Sequence, residues 1–516
     1  MKEKFGFFGP ATLLYAVVYV FCTFKNPSGI TYPIFIAASL VYLCLALARL
    51  GVALKKNSLF YLISMMLLGV STFCTDDWRI IMMNKTGIFI LMLVVLLQQF
   101  YDTSGWQLGR HLKSMLRLMF VSLGEIGRPF SDGRTYLKEN NKILNRKVAA
   151  VLIGLVVALP ILVMVLMLLG SADVVFGNMM DSMFQGIRLG ENIIDVIDIL
   201  FRICVFAAIV YAWLAYLSGD KLPKEEAESK KGEPIIGITV TGILTAVYLL
   251  FCGIQVVYLF FGRMTLPEGY TYAGYAREGF FQLLAVSVLN LIIVLVGMGC
   301  FQESKVLKVI LTIISFCTFI LIISSGLRMI MYIRYYYLTF LRVFVLWALV
   351  VLFLLFIGIV MNIWREKMPL FRYSLAVVTV SYLVLSFSHP DYYIAKVNMA
   401  NAVHSGREEW APQEGDFFQS GSPYKDYSYL KGMSADAAPV LIAFMAVEGV
   451  PMEVFYEEDV FEAFSSYESE NTVHGYHYYL SYLDNMKHEV QGGGWRQFNI
   501  SRHMMLKCIK KYSETD

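Results

Sequence analysis

LPEGYTYAGYAREGFFQLLAVSVLN, residues 266–290, sets tyrosines, an arginine and a glutamate directly against an apolar run that continues to Cys300. A run of about 20 apolar residues is long enough to cross a bilayer as a helix. The polar segment before it lies where amphipathic rings and charges gather, at the membrane–water boundary. The rest of the chain agrees with this reading. It is 57% hydrophobic and only 16% charged, with a mean hydropathy of +0.59, outside the range of soluble globular chains. At 516 residues it has room for a transmembrane bundle and a separate soluble region.

Apolar runs of spanning length fall near 5–24, 30–54, 59–74, 80–101, 148–170, 199–218, 235–262, 280–301, 306–326, 338–363 and 373–389, about eleven in all. The expected fold class is therefore all-α, a polytopic transmembrane helical bundle followed by a soluble all-α domain. The boundaries read as N-terminal transmembrane helices over 1–101, a basic amphipathic cytoplasmic segment over 102–147, a transmembrane core over 148–389 and the soluble helical domain over 390–516. The first run has a basic start, Lys2 and Lys4, and no small-residue cleavage site before Lys25, which predicts a retained anchor.

Lysine and arginine collect on the cytoplasmic side of short loops. With the N-terminus inside, Lys55 and Lys56, the segments 102–147 and 219–234, Lys305 with Lys308, and Arg365, Lys367 and Arg372 all fall on that side. The loop after the fifth run is acidic, with Asp173, Asp181, Glu191, Asp195 and Asp198 against Arg188. An odd span count then puts the C-terminal domain outside. That region holds 10 Lys and Arg against 19 Asp and Glu, a net charge of −9, and leaves +12 for residues 1–389.

Within 102–147, SGWQLGRHLKSMLRLMF places Leu108, Leu112, Met115 and Met119 on one helical face and Arg110, Lys113 and Arg117 on another. Two readings fit. The apolar stripe packs on the bundle while the charges set topology, or the helix lies on an anionic leaflet. A nucleic-acid site is not expected, because interleaved aromatics and a larger basic surface are missing.

Cys22, Cys44, Cys74, Cys204, Cys252, Cys300 and Cys317 lie in apolar runs, and Cys508 is alone in the C-terminal region, which therefore cannot close its own disulfide. His474 and His477 supply two potential ligands at helical spacing where zinc needs three or four, so no metal or cofactor is expected. No GxxxxGK[ST] sequence is present. The middle of every run lacks Asp and Glu, the residues a proton- or sodium-coupled carrier would show. Gln255 and Asn290 remain, and read as interhelical hydrogen bonds. Asp76 and Asp77 in TDDWR read as a solvated turn closed by an interfacial Trp78; as a paired carboxylate they would suit a general base.

TYAGYAREGFFQLL, LLGSADVVF at 168–176, SSGLRMIMYIRYYYLTFLR at 324–342 and a tail of HPDYYIAKVN, DYSYLKGMSADAAPVL and WRQFNISRH together resemble a bacterial polytopic membrane-protein family, domain of unknown function 4173, and its relative 4153. Gly274 stands where similar proteins usually carry an acidic residue, and Tyr337 where they often carry glycine. The resemblance implies a multi-pass protein of the bacterial cytoplasmic membrane and names no activity, substrate or cofactor.

Residues 271–281 resume a helical pattern after Pro267 and Gly269, and by the topology above they lie outside, as does 327–337. Tyr272, Tyr275, Arg277, Glu278, Arg328 and Arg334 are therefore the candidate contact residues of an outer-surface collar, which would dock the C-terminal domain, a lipid headgroup or an envelope ligand. The C-terminal region reads as helices, with SAD at 434–436 as an N-cap signal and Trp495, Arg496 and Asn499 in packing or capping roles. The function expected first is non-enzymatic envelope sensing or scaffolding through this domain, with the bilayer and an unidentified envelope ligand or membrane protein as partners. A transporter or channel component is the second reading, and an enzyme acting on an envelope or lipid-linked substrate the third.

Overall fold

A computed structural model of the chain describes residues 2–139, 191–219, 232–257, 272–365, 368–404, 429–447, 450–457, 476–490 and 494–514, with a few single positions besides. Their main elements are α-helices: α1 Phe5–Thr23, α2 Thr31–Leu50, α3 Leu59–Cys74, α4 Trp78–Phe100, α5 Leu108–Phe120, α6 Arg128–Glu139, α7 Glu191–Ser218, α8 Pro234–Gln255, α9 Tyr272–Cys300, α10 Lys305–Tyr336, α11 Phe340–Trp364, α12 Leu370–Phe387, α13 Pro390–His404, α14 Ala438–Val447, α15 Tyr476–Val490 and α16 Ile500–Ser513, with short 3-10 turns between some of them and one isolated bridge, Gly232 to Phe301. Local chemistry explains several ends. Gly51 closes α2 at a φ of 79°, the left-handed position glycine adopts without strain. Pro234 opens α8, where the missing N–H costs no helical bond. Asn499 caps α16 by accepting from the backbone N–H groups of Ser501 and Arg502.

Ten of these helices are long and apolar enough to cross a membrane, among the described residues. They match ten of the expected runs; the eleventh, 148–170, lies outside the described residues. One boundary moves. The span Lys305–Arg334 takes in the arginine-bearing stretch after 326, since no glycine or proline breaks the helix between Arg328 and Tyr337. At Tyr337 the chain turns with φ 62° and ψ −179°, a combination that costs any side chain but glycine.

The chain divides into two compact units, Met1–Gly69 with Ile88–Gly105 and Arg110–Lys224, and Val70–Gly87 with Trp106–Gly109 and Glu225–Asp516. In the first, Phe8, Ala46, Tyr211, Leu214 and Ala215 form a core between α1, α2 and α7. Tyr211 donates to Asp132 of α6 at 2.8 Å, and Lys55, just past α2, donates to the carbonyls of Gln98 and Tyr101 at 2.5 and 2.8 Å. The N-terminal end of α1 and the C-terminal ends of α2, α4 and α7 thus share one end of this unit.

The second unit is centred on α9, α10 and α11, with Phe280, Leu311, Ile314, Leu349 and Phe356 in its core. Polar side chains bridge its helices where apolar packing gives no preference. Ser324 donates to Gln255 and Asn290 to Thr318, both at 2.9 Å, as expected of packing bonds. Asn84 of α4 is a second hub, donating to Ser71 and Thr72 of α3 and accepting from Tyr382 and Ser386 of α12. Two glycines allow close approach. A Cβ at Gly279 would collide with the Arg328 guanidinium, and one at Gly358 with the Tyr373 ring.

Candidate functional site

Between α3 and α4 the chain turns through Thr75, Asp76 and Asp77, and Arg79 follows in the first turn of α4. This turn is not solvated. Asp77 is 0% exposed and Asp76 6%, and only Trp78 reaches outward, at 70%. A buried carboxylate is stable only when paired or hydrogen-bonded; Asp77 pairs with Arg79 two residues on, and the groups that hold Asp76 and Arg79 arrive from more than 300 residues away.

Arg79 is the centre. Its Nε donates to Asp77 at 2.7 Å, and its Nη2 donates to both Asp391 oxygens at 2.7 and 2.9 Å. Nη1 donates to the Tyr429 hydroxyl at 2.7 Å, and the guanidinium lies 4.0 Å from the centre of the Phe340 ring. Asp77 also caps α4 by accepting the backbone N–H of Arg79 at 2.9 Å. Asp391 sits in the first turn of α13, fully buried, and takes two further bonds from the backbone N–H and hydroxyl of Ser434 at 3.0 and 2.9 Å. Ser434 therefore spends its side chain on Asp391. The 3-10 turn Ala435–Ala437 has no side-chain cap, which corrects the reading of SAD as an N-cap signal.

Asp436 holds the other side of the turn. It accepts from the Thr75 hydroxyl at 2.5 Å and the Asp76 N–H at 3.0 Å, and His389 Nδ1 lies 3.3 Å from it. From α16, Arg502 Nε donates to Asp76 at 2.7 Å, Asn499 Nδ2 to the Thr75 carbonyl at 2.8 Å and the Ser501 hydroxyl to the Cys74 carbonyl at 2.7 Å. Asn398 of α13 pairs with both backbone groups of Leu338 at 2.9 Å, and Tyr429 accepts the Phe340 N–H at 3.0 Å. Segments following α12 thereby hold two interhelical turns, 75–77 and 337–339.

Burial pushes the Asp391 carboxyl up, helped by the negative charge of Asp77 and opposed by Arg79 and Ser434. The hydrogen bond to Asp436 raises the His389 imidazole against its own burial. At Asp436 burial acts upward, but His389 and the Thr75 hydroxyl outweigh it and the net shift is down. Four carboxylates thus face two guanidinium groups and one imidazole. His389 is the most open of the positive groups, its side chain 34% exposed against 19% for Arg79 and 23% for Arg502.

Of the six collar residues, Arg328 is buried beside Gly279, so the AREGF and SSGLR segments meet inside the helical packing. Arg328 is not presented to an outer surface. Arg334 is exposed. The side chains of Tyr272, Tyr275, Arg277 and Glu278 lie outside the described residues, as do those of His474 and His477. Asp391, Asp436, His389 and Arg502 escaped the sequence reading as members of one site. The available signal was position: acidic residues in short turns beside apolar runs, TDDW before one with Arg79 directly after it, and HPD after another.

The profile of a family described as a domain of unknown function, DUF4153, matches residues 62–444. That range starts within α3 and ends within α14, and so contains Arg79 with all four carboxylates. It lies N-terminal to Asn499 and Arg502. The match is to the relative of the 4173 family that the motifs resemble. No curated protein and no solved structure matches the chain. With its ten described helices of spanning length and the profile covering well over half of its length, this multi-pass membrane protein belongs to the DUF4153 family.

Proposed function

We propose that this is a non-enzymatic protein of the bacterial cytoplasmic membrane, which senses or scaffolds at the envelope by coupling its C-terminal helical region to its membrane helices. The carrying observation is the Arg79 centre, where one guanidinium bonds Asp77 from the α3–α4 turn, Asp391 from α13 and Tyr429 from the C-terminal region. Charges committed to each other in this way transmit displacement between segments. Binding that draws α13 or α16 away must uncover charge at the helix ends, so occupancy of the C-terminal region and the arrangement of the helices are linked. In this reading the N-terminus is inside, the C-terminal region outside, and the ligand or protein partner approaches from the envelope.

Cys508, partly buried in α16, is the reporter. A membrane-impermeant maleimide should label it in intact cells, with Cys508→Ser as the blank, and labelling should quicken in Arg79→Gln as α16 loosens. Labelling only after permeabilisation would overturn the outward placement. An unchanged rate in Arg79→Gln would overturn the coupling.

A second reading, a membrane enzyme, is favoured by one observation: carboxyls pushed in opposite directions, Asp391 up and Asp436 down, beside a partly exposed histidine. It predicts that His389→Gln fails to complement a deletion strain while Cys508 labelling keeps its wild-type rate. In the coupling reading, loss of complementation comes together with faster labelling.

A further inference from the structure

The helix α5 and the 3-10 turn Val121–Glu125 carry an apolar face that is exposed among the described residues. α5 buries only a narrow strip, His111, Ser114 and Leu118. Beside that strip Leu112, Leu116 and Phe120 are 58%, 48% and 58% exposed, and Val121 continues the stripe at 56%. Leu112, Leu116 and Phe120 follow one another at four-residue spacing, a continuous helical face that Val121 borders. On the next face around the helix stand Arg110, Lys113 and Arg117, and no acidic residue occurs in Leu108–Phe120.

Position decides what covers the stripe. α5 begins eight residues after α4 ends at Phe100, and α6, which follows the turn, packs on α1 and α7 through contacts of Tyr136 with Phe5 and of Asp132 with Tyr211. The segment from Arg110 onward is therefore tethered, through α6, to the end of the first unit where α2, α4 and α7 finish, near the limit of their apolar stretches. A helix held there with an apolar face beside a triply basic face has the chemistry of an interfacial helix: apolar side chains enter the acyl boundary, and the basic stems reach up to anionic headgroups. We propose that α5 and its following turn form a binding surface for an anionic lipid leaflet, with Leu112, Leu116 and Phe120 inserted and Arg110, Lys113 and Arg117 contacting headgroup phosphates.

The test uses the full chain in nanodiscs of phosphatidylcholine alone and of phosphatidylcholine with phosphatidylglycerol, read by hydrogen–deuterium exchange. Exchange over 110–123 should slow at least about fivefold in the anionic discs, the order expected of one basic side chain near an anionic surface. The protection should disappear at high salt and in the Arg110→Gln, Lys113→Gln, Arg117→Gln variant, while exchange in α1 and α7 stays constant and reports an intact fold. Equal protection in both discs, insensitive to salt, would overturn the proposal. The stripe would then be covered by protein, from the bundle or from a second copy. The salt titration on the unmodified chain decides the matter if the triple variant does not fold.

Discussion

Arg79 neutralises two carboxylates that have no exposure at all, Asp77 and Asp391. Its removal strands both, and breaking a buried pair on one side costs about 3–5 kcal/mol. Arg79→Gln should therefore lower the melting temperature of the detergent-purified protein far more than Arg334→Gln, which removes an exposed arginine; comparable shifts would mean the centre contributes little. Titration gives a second expectation. Asp391 is raised from 3.8, so its contribution is full below 3.8 and is lost as pH rises through its folded value near 6. His389 is raised from 6.5, so its contribution is full below 6.5 and is lost above its folded value. Asp436 is lowered from 3.8 and loses its contribution only in more acidic solution. Asp391 between pH 3.8 and about 6, and His389 above 6.5, act in one direction, and stability should fall as pH rises through both ranges. The slope should flatten in Asp391→Asn and in His389→Asn, and a slope of opposite sign would contradict this assignment of charges.

Turns and close contacts between helices make their own predictions. Tyr337 joins α10 to α11 at a positive φ with extended ψ, a conformation worth about 1–3 kcal/mol of strain for a side chain. Tyr337→Gly should raise the melting temperature, by an amount equivalent to about 1 kcal/mol once the lost tyrosine contacts are counted. A fall would show that the ring outweighs the strain. Gly279→Ala should do the reverse, since the added Cβ meets the Arg328 guanidinium and overpacking costs about 1–3 kcal/mol. The helices themselves were readable because a spanning apolar run carries its own signal, and all ten described spans coincide with one. What α5 does was only half readable. Periodicity separates Leu112 from Arg110, yet which of its faces packs is decided by the rest of the fold, and Leu116 and Phe120 emerged as exposed only there.

For the molecule as a whole, the amino-acid pattern defines a membrane bundle with a helical C-terminal region, while the site that ties them together is legible only in part. Asp76 and Asp77 are adjacent in sequence and look like any polar turn. Their burial comes from Asp436, Asn499 and Arg502, which no local rule places beside residue 76. Mid-span charges mark a site within a single helix, whereas a network at the helix ends is assembled from turns far apart in the chain, so its members appear singly as caps or solvated loops. Asn499 is both: it caps α16 and bonds the Thr75 carbonyl. The central claim is that these distant residues act as one ion-paired unit, and a double-mutant cycle on Arg79 and Asp391, 312 positions apart, tests it most directly. Melting curves of Arg79→Gln, Asp391→Asn and the double variant should give a coupling energy above about 1 kcal/mol, the double variant losing much less than the two single losses together. Strict additivity would contradict the account and reduce the network to independent contacts.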